Sequence, residues 1–306
     1  MKNLVKIGTA LLASMVMLIT SCSKQDDSVG GANGKGTLTL KLTDAPFPVS
    51  VVDKVVVSID KIEIRSTATL SSTTTSSTTS DSKDSNFITL YQGASLEYNL
   101  LELQNGLTTD LLSMDIPEGT YDFLRLHVAS SKIYLKDGTS FDMKIPSGSA
   151  SGLKIKISPA LVIENGVSSE VVLDFDVSKS FVVQGNAKSP HGIKGFMFKP
   201  VLRAVCQKYS GILSGKVVSN ANLPLAEAHV QIFRADTVYT SAITDSKGNY
   251  AMLGLPSGDY KLVCDLDNYV SLTVPAVNIQ PRAVTYVDIK LAAIGAVSET
   301  TTSTVH

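Results

Sequence analysis

Acidic side chains at close spacing are the first groups in this sequence with chemistry to offer. Asp174 and Asp176 flank Phe175, so on an extended strand both carboxylates leave from one face. Together with Asp44, in the run Thr43-Asp44-Ala45-Pro46, they form a trio of hard oxygen donors of the kind that takes Ca²⁺. The competing reading is structural: Asp44 caps its own turn, and Asp174 and Asp176 pair with lysines such as Lys179 and Lys199. We carry the structural reading forward, which calls for no metal and no cofactor. The histidines, His127, His191, His229 and His306, show no metal-ligand spacing, and neither His-Glu-x-x-His nor Cys-x-x-Cys occurs. His127 alternates with Leu126 and Val128, which predicts a solvent-facing strand residue. Gly-x-Ser-x-Gly is absent and no motif gathers Asp, His and Ser, so no catalytic residues are assigned and the chain reads as a non-enzyme.

The elements that must carry these groups are strands. With 306 residues, 43% hydrophobic and 18% charged, the chain has room for two domains, each with a core. From Gly36 to Arg65 the apolar residues recur every second position: Leu38, Leu40 and Leu42, then Val55, Val57 and Ile59, then Ile62 and Ile64. Fifteen of the twenty residues from Ser66 to Ser85 are Ser or Thr, too few apolar groups to offset the entropy of ordering, which predicts a disordered insertion. Strand character resumes at Phe87–Tyr91. Between Leu96 and Met114 the leucines at 100, 101, 103, 107, 111 and 112 fit one or two short helical turns. Asp137-Gly138 is a two-residue hairpin turn between Lys132–Lys136 and Thr139–Ile145. Further short strands are expected at 121–128, 153–157, 160–163, 169–176, 180–183 and 195–205. The fold class is therefore all-β, as two consecutive β-sandwich domains.

The N-terminus supplies an address. Lys2 and Lys6, an apolar run from Ile7 to Ile19 too short to span a bilayer, and small residues before a cysteine form a secretory signal. Leu18-Ile19-Thr20-Ser21-Cys22 resembles the bacterial lipoprotein lipobox, which implies cleavage before Cys22 and lipid on that residue. Removal of Met1–Ser21 leaves 25 basic against 28 acidic residues, too even a balance to call for nucleic acid. Residues 22–35 then read as a flexible tether, in which Lys24-Gln25-Asp26-Asp27 is similar to the acidic export signal of Bacteroidetes lipoproteins displayed on the cell surface. Asp27-Ser28-Val29 and Asp236-Thr237-Val238 resemble the O-glycosylation pattern of the same bacteria, making Ser28 and Thr237 candidate sites. Cys206 and Cys264 are left in a compartment that permits disulfides, either as one bridge or as two separate buried thiols.

Two further resemblances cover the body of the chain. Leu42-Thr43-Asp44-Ala45-Pro46, Ile116-Pro117-Glu118-Gly119-Thr120-Tyr121, Pro146-Ser147-Gly148 with Ser151-Gly152-Leu153-Lys154, Leu173-Asp174-Phe175-Asp176 and Lys199-Pro200-Val201 occur in the order of domain of unknown function 4382. That family brings an envelope setting and no reaction. From Tyr209 the organisation restarts. Gly215-Lys216-Val217-Val218, Leu223–Val230, Thr244–Tyr250 and Leu255–Tyr260 resemble the carboxypeptidase regulatory-like domain, a small transthyretin-like sandwich of about seven strands that is usually a spacer or interaction module.

The expected organisation is a signal peptide at 1–21, a tether at 22–35, a first β-sandwich at 36–208 carrying the insertion 66–85, a second at 209–293 and a disordered tail at 294–306. The expected function is a lipid-anchored, outer-membrane protein facing the exterior that serves as a non-catalytic binding, adhesion or structural module. Its partners would be the membrane, through Cys22, and a glycan or envelope protein. Two alternatives stand beside it: a hydrolase with an unrecognised site, and a fimbrial-type subunit, which needs an exposed edge strand and a removable donor strand.

Overall fold

Period-two alternation becomes a buried wall as soon as the strands are laid side by side. The structure, a computed structural model, describes residues 34–45, 51–68, 86–145, 151–186, 192–295 and 302–305. Of the disordered insertion expected over 66–85, Ser66 is instead the buried last residue of a strand, paired with Tyr121, and 69–85 lie outside the described residues, as do Cys22 and Ser28. In β1 (Lys35–Ala45) Leu38, Leu40 and Leu42 are fully buried, while Thr37, Thr39 and Lys41 between them stay partly exposed. Next come β2 (Val52–Ser66), β3 (Phe87–Asn99), a 3₁₀ turn (Leu100–Leu103), β4 (Thr109–Pro117), β5 (Gly119–Leu135), β6 (Ser140–Asp142), β7 (Leu153–Ile163) and β8 (Ser168–Asp176). A one-turn helix α1 (Val177–Ser180), the ribbon β9 (Phe181–Gly185) and β10 (Ile193–Phe198), and β11 (Leu202–Cys206) complete the first domain.

Nine of these strands form one sheet: eight follow the path β3-β2-β5-β7-β11-β8-β1-β4, and β6 is added to β5. Its halves join at a single pair, Ala204↔Ile157. Side chains from both halves enclose one core, closed at one end by the stacked rings of Phe175, Phe181 and Phe198, whose centroids lie 4.8–6.4 Å apart.

The second domain follows a 3₁₀ turn, Gln207–Tyr209, with no linker between. It contains β12 (Ser210–Ser219), β13 (His229–Arg234), β14 (Thr237–Ile243), β15 (Asn249–Pro256), β16 (Gly258–Asp265), β17 (Leu272–Ile279), β18 (Val284–Leu291) and β19 (Thr302–Val305). These form two four-stranded sheets, β15-β12-β18-β19 and β14-β13-β16-β17, over a core of their own. Asn33–His306 is nevertheless one compact unit. Among the described residues no helix is long and apolar enough to cross a membrane.

Three expectations are corrected. Of the leucine-rich stretch only Leu100–Leu103 turns helically; Leu111 and Leu112 belong to β4, whose ladder with β1 outweighs their helix-like spacing. The strand expected over 195–205 is broken at Lys199-Pro200-Val201, where proline withholds a ladder donor, and becomes β10 and β11. The tail beyond Ala293 is not all frayed, since Thr302–Val305 pairs with β18.

Both domains turn one corner in the same way. Pro117-Glu118-Gly119-Thr120-Tyr121 and Pro256-Ser257-Gly258-Asp259-Tyr260 share the pattern Pro-x-Gly-x-Tyr. Each glycine takes a positive φ, 151° and 137°, and each buried tyrosine donates its hydroxyl to the proline carbonyl, at 2.8 and 2.7 Å. Tyr121→Phe and Tyr260→Phe should each cost about 1 kcal/mol, the net value of one hydrogen bond. Urea denaturation checks this; an unchanged midpoint in both variants would show that the corner bonds carry no weight.

Candidate functional site

The parallel ladder between β1 and β8 sets Thr43 opposite Asp174 and Ala45 opposite Asp176, with Asp44 between. Sequence reasoning grouped these carboxylates, and the structure brings them together: Asp44, Asp174 and Asp176 are all buried at the same end of the two strands. Their partners are nitrogen donors. Asp44 Oδ1 accepts from the backbone N–H of Val177, the first residue of α1, at 3.0 Å; the turn after Asp44, which it was expected to cap, lies outside the described residues. Asp176 accepts from the Lys179 N–H at 3.1 Å and from the Ser178 hydroxyl at 2.6 Å, and its other oxygen lies 2.9 Å from Lys179 Nζ. Asp174 is bonded by Arg203, its cross-strand neighbour on β11. Lys199, named beside Lys179 as a partner, instead gives its backbone N–H to Ser180.

Arg203 was not singled out in the sequence, and it is the centre of the site. Besides Asp174, it lies 3.9 Å from Asp176 Oδ2 and donates to the Tyr239 carbonyl, with its guanidinium 4.5 Å over the Tyr239 ring. Lys179 Nζ donates to the carbonyls of Val238 and Tyr239 at 3.2 and 3.3 Å. Both cations thus grip β14 of the second domain while neutralising carboxylates of the first. The Tyr239 ring meets Tyr260 edge-on at 5.9 Å, which carries the contact to the second domain's corner. Thr43, Asp44 and Asp174 face Thr240, Ser241 and Met252 across a cavity of about 10 Å³.

Electrostatics favour a closed clamp over a metal centre. Among the described residues no group of three or more His, Cys, Asp or Glu is arranged to hold a metal, and the cations beside Asp174 and Asp176 are Arg203 and Lys179. Burial pushes the Asp44 carboxyl well above its usual range, against the Val177 N–H and with help from the charges of Asp174 and Asp176. Burial also raises Asp174, against the pull of Arg203. Arg203 stays charged: burial works against its cation, and the carboxylates, Asp174 foremost, outweigh it.

The remaining sequence candidates separate. Cys206 and Cys264 are free thiols in different cores, so there is no bridge, and burial pushes them up to about 11 and about 12. Thr237 is exposed at the start of β14, next to a two-residue turn in which Ala235 and Asp236 both take positive φ. His229 is half-buried in β13 opposite Asp265. His127 is buried, not solvent-facing: its ring lies 3.1 Å from Glu63, and Gly152 packs so closely that a Cβ there would come within 2.9 Å of the imidazole. Burial opposes the Glu63 charge, but hydrogen bonds from Lys61 and His127 and the charges of Lys61 and Arg125 hold it below its usual range.

Comparison with known proteins agrees with this division. Residues 35–200, more than half of the chain, match a domain of unknown function, DUF4382. The chain belongs to this family. Residues 212–292 match the carboxypeptidase regulatory-like domain. The acid trio and Arg203's neighbours on β8 thus lie within the DUF4382 domain, and Tyr239 within the regulatory-like domain. No curated protein matches. Among solved structures, the minor pilin GBS52 of Streptococcus agalactiae is 13% identical over 86% of this chain and 98% of that one, with a TM-score of 0.25. The shaft pilin SpaA of Lactobacillus rhamnosus GG is 12% identical over 86% and 99%, with a TM-score of 0.26. A cohesin–X-dockerin complex of Acetivibrio cellulolyticus is 20% identical over 27% of this chain, which spans 58% of that chain, with a TM-score of 0.23. At these scores the likeness says nothing of function.

Removing Arg203 strands a buried carboxylate and a buried carbonyl together. Arg203→Met should cost about 3–5 kcal/mol, while Arg203→Met with Asp174→Leu should recover much of the loss. Chemical denaturation measures both, and a loss below about 1 kcal/mol for the single variant would assign the pair to solvent.

Asp44 makes a separate prediction. Its folded carboxyl holds a proton that the unfolded chain releases near about pH 4. Stability should therefore fall as pH rises from there through the raised folded value, and be retained below it. Asp44→Asn keeps an acceptor for Val177 and should flatten this fall. Parallel stability curves for the two proteins between pH 4 and 8 would contradict the assignment.

Proposed function

We propose that this chain is a lipid-anchored protein of the bacterial cell envelope, displayed on the outer face of the outer membrane, where it acts as a non-catalytic binding, adhesion or structural module. The observation that carries the reading is the use made of its acid cluster. The side chains with most chemical potential are turned inward: Asp44, Asp174 and Asp176 are buried, and Asp174 and Asp176 hold Arg203 and Lys179, the cations that bind the second domain. A module that holds a surface at a set orientation beyond a tether needs such a junction; an enzyme would need those groups free to meet substrate.

Two features of the sequence support the envelope setting. One is the run ending in Cys22, with its basic start and apolar stretch. The other is the polar segment from Ser23 to Lys35, long enough to lift the folded unit clear of lipid headgroups. Thr237, exposed on its hairpin, is available for an O-linked glycan. The partner is a glycan or another envelope component.

Cys22→Ala should release the protein from the membrane, since each buried CH₂ of the missing acyl chains is worth about 0.8 kcal/mol. Fractionation after a salt wash is the measurement. Retention of the variant in the membrane pellet would remove the anchor from this reading.

A further inference from the structure

The C-terminal strand is held more loosely than any neighbour in its sheet. β18 pairs with β12 along one edge; its other edge is covered by β19 alone, in a register running from Val287↔Val305 to Lys290↔Thr302. No β19 side chain is buried, and Val305 is 47% exposed. The cover is also short. Val284 and Tyr286 lie beyond it on β18 and stand 42% and 51% exposed. After β18 the chain turns away from its own sheet: Val270 donates to the Ala292 carbonyl, Ile294 donates to that of Asn268, and Tyr269 bridges Ala293. β19 then rejoins the sheet at Lys290↔Thr302, with none of its side chains buried.

An edge strand with free donors and acceptors is a template for any strand of the right length. Here the strand that fits is already known, with its register, because it is part of the same chain. A second copy carries the same Thr302–Val305 segment at the end of the same ten-residue connection. Pairing within a chain and between chains then uses identical hydrogen bonds, and they differ only in effective concentration. The β-branched residues Thr302, Thr304 and Val305 suit the segment to extended pairing wherever it finds an edge.

We propose that the edge of β18 covered by β19 is a homotypic docking site: β19 of one copy replaces that of another on β18, in the same register, and links the chains by strand exchange. This goes beyond the envelope role proposed above and does not rest on lipid at Cys22.

Mixed single-cysteine variants test it directly. Full chains carrying Cys22→Ser and either Lys290→Cys or Thr302→Cys are mixed at about 1 mM, the order of effective concentration within a short linked chain, and oxidised. Cys206 and Cys264, at 2% and 0% exposure, stay out of the reaction. A cross-linked heterodimer should form in clear excess over the mixture of Lys290→Cys with Thr237→Cys, whose new thiol is exposed but away from β19. Pro at both 303 and 304 (Ser303→Pro, Thr304→Pro), one of which must remove a ladder donor because donors alternate along an antiparallel strand, should abolish that excess. Light scattering without any added cysteine gives the second reading: the Cys22→Ser chain should show a dimer that rises with concentration and is lost when the chain ends at Gly295. Cross-linking confined to the Lys290→Cys, Thr302→Cys double variant would overturn the proposal. So would self-association that survives removal of 296–306.

Discussion

Arg203 lies between two domains that otherwise keep separate cores, and its charge is the constraint on which their union depends. A guanidinium with little access to water must keep its partners, since losing one leaves the others buried and unsatisfied. Asp174 and Asp176 come from β8, the Tyr239 carbonyl and ring from β14, and Lys179 from α1. Such a cluster adds little to stability over a well-packed apolar one. What it adds is discrimination, because any other arrangement of the two domains would bury the same charges without their partners.

The clamp gives a Ca²⁺-like set of carboxylates side-chain cations for partners. Three acids at the end of a parallel strand pair would repel one another if all were ionised in a dry setting. The chain meets this in two ways: Arg203 and Lys179 supply positive charge, and Asp44 is pushed toward its neutral form. The bond from the Val177 N–H to Asp44 then sets the start of α1, whose single turn returns the chain to Phe181 and the stacked phenylalanines of the first core. Charge placement and core closure are thus linked through five residues of chain.

Much of this fold was legible in the sequence. Leu38, Leu40 and Leu42 gave away β1 by alternation, and Asp137-Gly138 does turn the chain between β5 and β6, but in a three-residue loop, 136–138, closed by the Leu135 N–H on the Thr139 carbonyl, where a two-residue turn was expected. The acid trio was legible as a group, because Asp174 and Asp176 share a strand face. Arg203 was not. It reaches Asp174 only through the register of β8 and β11, which local periodicity does not encode. His127 was misplaced for a related reason: alternation puts it opposite the core, but that face is covered by Glu63, Arg125 and the close approach of Gly152. In the tail, Thr302 to Val305 looked polar enough to fray, yet threonine is β-branched and a strand at a sheet edge needs no buried side chain. The shared Pro-x-Gly-x-Tyr corner was visible letter by letter, and only its two hydrogen bonds reveal that the unrelated domains solve one turn alike.

The clamp holds β14 by backbone carbonyls, and that choice has consequences for what the interface reads. Arg203 and Lys179 accept whatever side chains β14 carries at positions 238 and 239, apart from the ring stacked on Arg203, but they require those two carbonyls at a fixed place. The interface therefore reads strand register more than residue identity. Register in β14 is set by its hairpin with β13, where Ala235 and Asp236 both sit at positive φ, the geometry of a tight two-residue turn that matches the twist of the flanking strands. Alanine adopts that conformation at a cost of roughly 1–2 kcal/mol, so the hairpin is held from outside as well as by its own ladder. The ion pair between Lys261 and Asp236, 2.9 Å, ties the turn to β16, and the clamp fixes the strand two residues further on. A slip of one residue would replace both gripped carbonyls with N–H groups facing cations, which is why the strained turn and the buried arginine belong to one device.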